Sequence, residues 1–501
     1  MASDSVVPGA DGPGLRLARL ASLLPGASLH GDGEVRALGV TLDSRRVTPG
    51  DLYAAIPGSH AHGAAFWPEA RDAGAVAVLT DSEGAAVIGA DTAMLEVPGD
   101  VRGVLGQVSA LVYGEPAQAL RTIGVTGTQG KTTTTRLLES GLWRTGVPAA
   151  VIGTVGTRIL GDDVSSALTT PEAPDLHRLL RRMVDEGVEA CAMEVSSHAL
   201  VLGRVDAVVF DVAVFLNLGR DHLDFHPTME DYFDAKASLF TPERAVRGLV
   251  NVQDEWGRRL VETSTIPVQT MAADGSPADW SVADVEVSAS GSRFRIVSPE
   301  GDRIRAGCPI PGAFNVANAL AAVAAAATAG YDPAEVAEAI ASGPGVPGRL
   351  ERIEEGQDFV VVVDYAHKPD ALAAVLATLR PVTEGRIVVV LGAGGDRDPG
   401  KRPVMGEIAA RDADLLVVTD DNPRSEEPAA IRAAILAGAS GGSAEVVEIG
   451  DRRAAISEAF ARARAGDVVL VAGKGHESGQ EVAGVVHPFD DRVVSREELT
   501  R

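Results

Sequence analysis

The stretch Gly124-Val-Thr-Gly-Thr-Gln-Gly-Lys-Thr-Thr133 places glycines, a lysine and threonines where an apolar run, Thr122–Val125, gives way to a helical pattern, Thr132–Leu142. Glycines let backbone N–H groups curl around a phosphate, and a helix N-terminus adds positive potential there. Lys131 is placed to reach β- and γ-phosphates and Thr132 to hold Mg²⁺. An ordinary strand-to-helix turn is the plainer alternative, and the spacing from Gly127 to Gly130 is shorter than in the usual Walker loop. Glu194 closes the mostly apolar segment Glu189–Glu194. A carboxylate ending the strand beside a phosphate loop commonly binds the nucleotide's Mg²⁺; an acid facing water at a strand end is the other reading. Asp221, His222, Asp224 and His226 crowd into Asn217–His226. That density suits a metal, but the spacing matches no zinc pattern, and a solvated, capped helix start also accounts for it. Lys236, fourteen positions after His222, lies in a short helical pattern that can turn its amine toward the same cleft.

Lysine usage sharpens the picture. The 501 residues contain 45 basic ones, of which only five are lysine: Lys131, Lys236, Lys368, Lys401 and Lys474. A chain that uses arginine wherever a surface cation suffices keeps lysine where a compact ammonium or a nucleophilic amine is needed. The formal net charge of −25 disfavours a nucleic-acid partner. No apolar run is long enough for a membrane span, and the Ala-rich Ala319–Gly330 is expected to be a buried helix. Met1–Gly14 is polar, rich in Gly and Pro, and lacks a signal peptide's apolar block; a disordered tail is expected. Cys191 and Cys308 make no disulfide framework and suit a reducing cytoplasm.

Length implies several domains, and three α/β blocks are expected: 1–117, 118–345 and 346–501. The first shows short strand patterns such as Asp51–Ile56 and Val76–Leu79. The central block carries the phosphate loop. The segment Ser342–Gly348 is a Pro- and Gly-rich linker and a possible hinge. Beyond it, strands at Phe359–Val363, Ile387–Leu391, Leu415–Thr419, Val446–Ile449 and Val468–Ala472 alternate with helical patterns such as Ala429–Ala437 and Arg453–Arg462, predicting a doubly wound, Rossmann-like parallel sheet. Ligands bind such sheets beyond the strands' carboxyl ends. The polar clusters Asp364–Lys368, Gly394–Arg397, Asp420–Arg424 and Gly473–Glu477 all fall there.

These motifs, with Met193-Glu-Val-Ser-Ser-His198, Lys236-Ala-Ser-Leu-Phe240, Gly312-Ala-Phe-Asn-Val-Ala-Asn-Ala319, Pro347-Gly-Arg-Leu-Glu351 and Asp364-Tyr-Ala-His-Lys-Pro-Asp370, resemble the Mur ligases, in the family's order and over most of the chain beyond Leu42. Asp421-Asn-Pro-Arg424 makes it similar to the members that add meso-diaminopimelate. The resemblance implies ATP-dependent amide formation between UDP-MurNAc-L-Ala-D-Glu and meso-diaminopimelate through an acyl phosphate. It implies that Gly127, Thr128, Gly130, Lys131, Thr132, Thr133, Asn315, Arg349, Asp364 and His367 bind ATP, with Asn315 at the adenine, Arg349 at the phosphates and Asp364 at the ribose. Thr132 and Glu194 would hold one Mg²⁺, and His222 with a CO₂-derived carbamate on Lys236 a second. Leu42, Ser44, His60 and His62 would line the uridine pocket, and Thr169, Thr170, Ser196 and Arg204 would hold the muramoyl-peptide. Arg397, Asp421, Asn422, Pro423, Arg424, Gly473 and Glu477 would receive diaminopimelate. The chain is expected to act as a monomer.

Arg424 is expected to pair with diaminopimelate's distal carboxylate, so that L-lysine, which lacks it, would leave the guanidinium facing no anion. Three positions depart from the family pattern: Leu202, Ser478-Gly479 and Val493. The alternatives are an L-lysine-adding ligase, a ligase like folylpolyglutamate synthase, and, from another class, a nucleotide-binding protein without catalysis. Intact Glu194, His222 and Lys236 speak against the last.

Overall fold

The computed structural model describes residues 14–58, 61–89, 91–164, 168–288 and 290–501. The expected N-terminal tail, as far as residue 13, and His60 lie outside them. By compactness the chain forms two units, the first holding residues 1–272, 276–279 and 321–332 and the second the remainder.

Among the described residues the first unit contains a two-stranded ribbon, Leu15–Arg16 with Arg36–Ala37, and two larger sheets. The N-terminal one runs Ser28–His30, Met94–Glu96, Ala77–Thr80, Asp51–Ala55, Gly39–Thr41, parallel except at its first pair. Its core is built by Leu17, Leu52, Leu79, Leu95 and Val108. In the central sheet, β1 (Arg121–Thr126) lies between β2 (Ala190–Glu194) and β3 (Phe210–Phe215), all parallel. After β1 the chain crosses to Ala149–Ile152, beyond β2, and later returns to β3 on the other side. The carboxyl end of β1 is therefore the point where strand order reverses, where α/β sheets take ligands.

Helix α1 (Lys131–Arg144) opens with four threonines, poor helix formers. Burial overrides propensity here. Thr132 to Thr135 are all buried, and the Thr135 hydroxyl donates back to Lys131 O at 3.0 Å, so a β-branched polar side chain is satisfied inside the helix. Two further helices matter, α2 (Ser197–Val201) and α3 (Met229–Ala237). The latter is started by a capping box between Thr228 and Asp231.

In the second unit, Trp280–Ser288, Gly291–Val297 and Arg303–Cys308 form an antiparallel meander. The last sheet is ordered Glu351–Ile353, β4 (Val360–Asp364), β7 (Val468–Ala472), β5 (Ile387–Leu391), β6 (Leu415–Val418), Glu445–Glu448, and only its first strand is antiparallel. β5, β6 and β7 are buried throughout, as parallel strands covered on both faces must be. The expected strand Val446–Ile449 is shifted by one residue to Glu445–Glu448, a largely exposed edge where apolar patterning is weak. Residues 319–326 of helix Ala313–Thr328 are buried, as expected of the Ala-rich run. Among the described residues no helix is long and apolar enough to cross a membrane.

Candidate active site

The phosphate loop connects β1 to α1. Gly130 stands at the cap of α1 with φ of 88°, a left-handed conformation that a side chain would strain. The loop is held open from outside by Asn217, just past β3. Its side-chain oxygen accepts from the backbone N–H of Thr128 (3.1 Å) and Gln129 (2.9 Å), and its amide donates to Gln129 O (3.1 Å). No local signal marks Asn217 in the sequence, because it sits 88 residues from Gln129.

Two amines converge on one oxygen at this loop. Lys131 Nζ donates to Gly127 O at 2.7 Å and Thr128 O at 3.1 Å, and Lys236 Nζ donates to the same Gly127 O at 2.9 Å. Lys236 is 1% exposed, with its amine 4.5 Å from the centre of the Tyr232 ring. Burial, reinforced by the charge of Lys131, pushes its pKa well below that of a free lysine. Tyr232 is hydrogen-bonded to Thr128 Oγ1 at 3.1 Å, so α3 is tied to the loop it serves. His222 adopts φ of 53° and lies edge-on to Tyr232, ring centres 6.1 Å apart, and edge-on to His198 at 4.9 Å. Lys236 and His222 thus flank one tyrosine.

Glu194 ends β2 with its carboxylate fastened. Thr154 donates its backbone N–H to Oε1 (2.7 Å) and its hydroxyl to Oε2 (3.1 Å). Gly153 makes this approach possible, since a Cβ there would lie 2.3 Å from Glu194 Oε1. Among the described residues no three His, Cys, Asp or Glu side chains form a metal-binding group. The donors present, the Thr132 hydroxyl and the Glu194 carboxylate at the ends of neighbouring elements, fit Mg²⁺, which takes few protein oxygens and completes its shell with water and phosphate.

The residues expected to hold the muramoyl-peptide form one cluster beside Glu194. Thr169 Oγ1 is 3.1 Å from Thr154 Oγ1, Thr170 Oγ1 donates to Glu194 O at 2.8 Å, and Ser196 caps α2. Arg204 donates to Thr170 O at 3.4 Å and pairs with Glu172 at 2.9 Å. Glu172 also receives Arg102, and Asp175 receives Arg46, which fastens the N-terminal sheet's surroundings to this cluster. Of the residues expected to line a uridine pocket, Ser44 donates to Glu69 (3.0 Å) and Leu42 packs against the N-terminal core. His62 accepts from Ala64 N (3.0 Å) on Nδ1 and faces Asp81 (3.1 Å) with Nε2, which assigns its proton to Nε2.

The second unit carries the other half of the predicted residues. Asp364, ending β4, accepts from Leu350 N and Ala366 N, both 2.8 Å, and burial raises its pKa. Arg349 lies over the Tyr365 ring at 5.2 Å, and His367 Nδ1 donates to Tyr365 O at 2.8 Å. Asn315 donates to Pro311 O at 2.8 Å and accepts from Asn318 at 3.0 Å. Beyond β6, Asn422 donates to Glu477 Oε2 at 2.8 Å, and Pro423 is buried against Gly395. Gly473 donates to Asp364 O at 3.0 Å, and Asp421 packs against Gly473. Arg397 is exposed. Arg424, at φ of 53°, donates to Gly395 O (2.7 Å) and lies 3.3 Å from the Glu481 carboxylate. This corrects the expectation that, without a distal substrate carboxylate, Arg424 faces no anion: the hairpin Gly479–Val482/Val485–Pro488 supplies one. Of the three departures, Leu202 follows α2 as its C-cap, Gly479 opens that hairpin and Val493 is 47% exposed.

A phosphate loop at a strand-order reversal, a buried lysine beside it and a separate parallel sheet with a charged carboxyl edge define an ATP-using α/β ligase architecture. The chain belongs to the Mur ligase family. Residues 37–112 match the Mur ligase family catalytic domain, 125–326 the Mur ligase middle domain and 348–475 the Mur ligase glutamate ligase domain. It is 55% identical to the UDP-N-acetylmuramoyl-L-alanyl-D-glutamate–2,6-diaminopimelate ligase of Streptomyces coelicolor, over 97% of this chain and 96% of the relative. It is 52% identical to the ligase of the same name from Corynebacterium glutamicum, over 95% and 94%. A solved structure of a ligase so named superposes with a TM-score of 0.71 at 34% identity, covering 97% of this chain and 99% of that one. A folylpolyglutamate synthase from Mycobacterium tuberculosis, 18% identical with a TM-score of 0.59, shares the fold.

Proposed function

We propose that this chain is the ATP-dependent ligase that joins meso-diaminopimelate to the D-glutamate carboxylate of UDP-MurNAc-L-Ala-D-Glu, a step of peptidoglycan precursor synthesis. The observation that carries the reading is the pair of lysine amines gathered at Gly127 O, in a chain 55% identical end to end to ligases of that name. A carboxylate is a poor acyl donor because an oxide would have to leave. Transfer of the γ-phosphoryl group gives an acyl phosphate; the amine of the amino acid adds to its carbonyl, and the tetrahedral adduct expels phosphate. Lys131 neutralises charge on the phosphates as the group moves. Mg²⁺, when bound by Thr132 and Glu194, supplies further neutralisation of the phosphate oxygens.

Lys236 is proposed to react with CO₂. Only a neutral amine adds to CO₂, giving an N-carboxylate and releasing a proton, and burial, with the charge of Lys131 beside it, shifts Lys236 toward that neutral form. The product converts a cation into an anion able, with His222, to hold a second Mg²⁺. The N-terminal block, residues 1–117, is proposed to take the uridine nucleotide, 118–345 the ATP phosphates, and 346–501 the amino acid. Phosphate release should require ATP, the dipeptide nucleotide and meso-diaminopimelate together. Release supported by a folate substrate, or by ATP alone at the same rate, would overturn the assignment.

A further inference from the structure

Two of the five lysines are buried: Lys236 at 1% exposure and Lys474 at 0%. The first belongs to the phosphate side. Lys474 follows Gly473 in the second unit, and neither the proposed reaction nor the family resemblance gives it a role. Its ammonium has three N–H donors and three acceptors around it: Gly479 O at 2.6 Å, Asn422 Oδ1 at 3.1 Å and Glu477 Oε2 at 3.2 Å. A guanidinium is planar and wider, so an arginine does not replace this tetrahedral set in a site closed to solvent.

Two of these partners, Asn422 and Glu477, are groups proposed to receive the amino acid. Asn422 Oδ1 takes two bonds, from Lys474 Nζ and from Glu481 N at 2.9 Å, which fixes which end of the amide is oxygen. With its oxygen so held, the amide nitrogen is directed at Glu477 Oε2, 2.8 Å away. Glu477 Oε2 therefore carries both bonds, from Lys474 and from Asn422, and Oε1 is engaged by neither. Glu477 is one-third exposed whereas Lys474 is sealed, so the lysine braces from beneath a carboxylate that stays accessible from above. The Gly479 carbonyl ties the same ammonium to the start of the hairpin that presents Glu481 to Arg424.

We infer that Lys474 is a positioning residue for the acceptor amino acid, setting the Asn422 amide and the Glu477 carboxylate so that one carboxylate oxygen is kept for a substrate ammonium. This rests on the reading of meso-diaminopimelate as the acceptor at these residues. Without the ammonium, Asn422 Oδ1 and Glu477 Oε2 lose a shared donor, the amide is held by Glu481 N alone, and Glu477 is less firmly fixed in one rotamer. The cost falls on capture of the amino acid.

The test is steady-state kinetics on Lys474→Met, Lys474→Arg, Glu477→Gln and the double variant Lys474→Met/Glu477→Gln. Lys474→Met should raise KM for meso-diaminopimelate about 30-fold or more while KM for ATP moves less than about twofold. Lys474→Arg should not restore it. Because Lys474 acts through Glu477, the double variant should be no worse than Glu477→Gln alone, a non-additivity that a general loss of stability does not produce. Fully additive losses, or an unchanged KM for the amino acid, would overturn the inference. Should the Met variant not fold, the wild-type chain decides. Labelled with ζ-¹⁵N-lysine it has only five side-chain signals, assigned by substituting the other four lysines in turn. The Lys474 signal must shift on adding meso-diaminopimelate and not on adding ATP; a signal that the amino acid leaves unmoved refutes the role. A wild-type enzyme that ignores meso-diaminopimelate would instead sink the acceptor assignment itself.

Discussion

The phosphate loop and the proposed amino-acid site of this enzyme treat cations in different ways. At the phosphate loop, Lys131 and Lys236 point their amines at one carbonyl oxygen, and burial, with the proximity of Lys131, pushes the proton affinity of Lys236 down. In the second unit three cations have carboxylates: Lys474 has Glu477, Arg424 has Glu481, and Arg452, fully buried, has Asp491 at 2.8 Å. The difference matches the ligands. A nucleotide triphosphate brings several negative charges that cations must offset, whereas an amino acid is a zwitterion and needs its charges sorted in place. A site for the first can gather amines on one oxygen; a site for the second sets its charges in pairs.

The strongest way to break this comparison is to remove the chemistry specific to an amine. Lys236→Arg keeps a cation but cannot form a carbamate, so turnover should fall by about 10³-fold or more, roughly 4 kcal/mol. ATP binding should persist by calorimetry, and a short carboxylic acid should partly restore Lys236→Ala. A near-normal rate in the arginine variant would leave only charge as the function of this position. Next in size, Lys131→Ala should slow turnover at saturating ATP by about 10²-fold, roughly 3 kcal/mol, because its charge matters most as the γ-phosphoryl group departs. An unaffected rate would show that phosphoryl transfer is catalysed elsewhere.

At the amino-acid site effects should be smaller. A guanidinium abandoned in a closing site would discriminate by about 10⁴-fold against lysine, but Glu481 already faces Arg424. We therefore expect a preference for meso-diaminopimelate over L-lysine of about 10²-fold, most of it lost in Arg424→Ala, the order that leaving buried polar groups unpaired costs. Phosphate release with each amino acid measures it, and equal use of both by the wild type contradicts the assignment. Smallest is the response to salt. Between low and about 0.5 M NaCl, KM for ATP should rise several-fold and KM for the amino acid less than about twofold, since screening weakens the attraction of a multiply charged triphosphate more than that of a zwitterion. Equal responses would erase the contrast between the two sides.

Legibility in the sequence followed the range of the interactions. Strands Ile387–Leu391 and Val468–Ala472 were readable to the residue, because a strand buried on both faces is a plain apolar run bounded by turns. The phosphate loop and Glu194 were readable because strand, loop and helix are contiguous. The antiparallel meander Trp280–Cys308 was not, since one strand of it is mostly exposed and carries no inward–outward alternation. Nor were Asn217, Thr154 and Glu481, each of which acts on a residue that only folding brings near: 88, 40 and 57 positions away, respectively. Lys474 stood in between. Its retention in an arginine-rich chain flagged it, but only the burial and the three acceptors say what the amine does.

The clasp of Asn217 on the phosphate loop has a consequence for synthesis on the ribosome. The loop's sequence is complete by residue 133, yet the residue that shapes it arrives only at 217, after β3. A nascent chain shorter than that carries the nucleotide-binding motif without the means to hold it in form. Until then Thr128 N and Gln129 N lack the acceptor that Asn217 Oδ1 gives them, so the loop's final form waits on the strand that closes the central sheet beside β1.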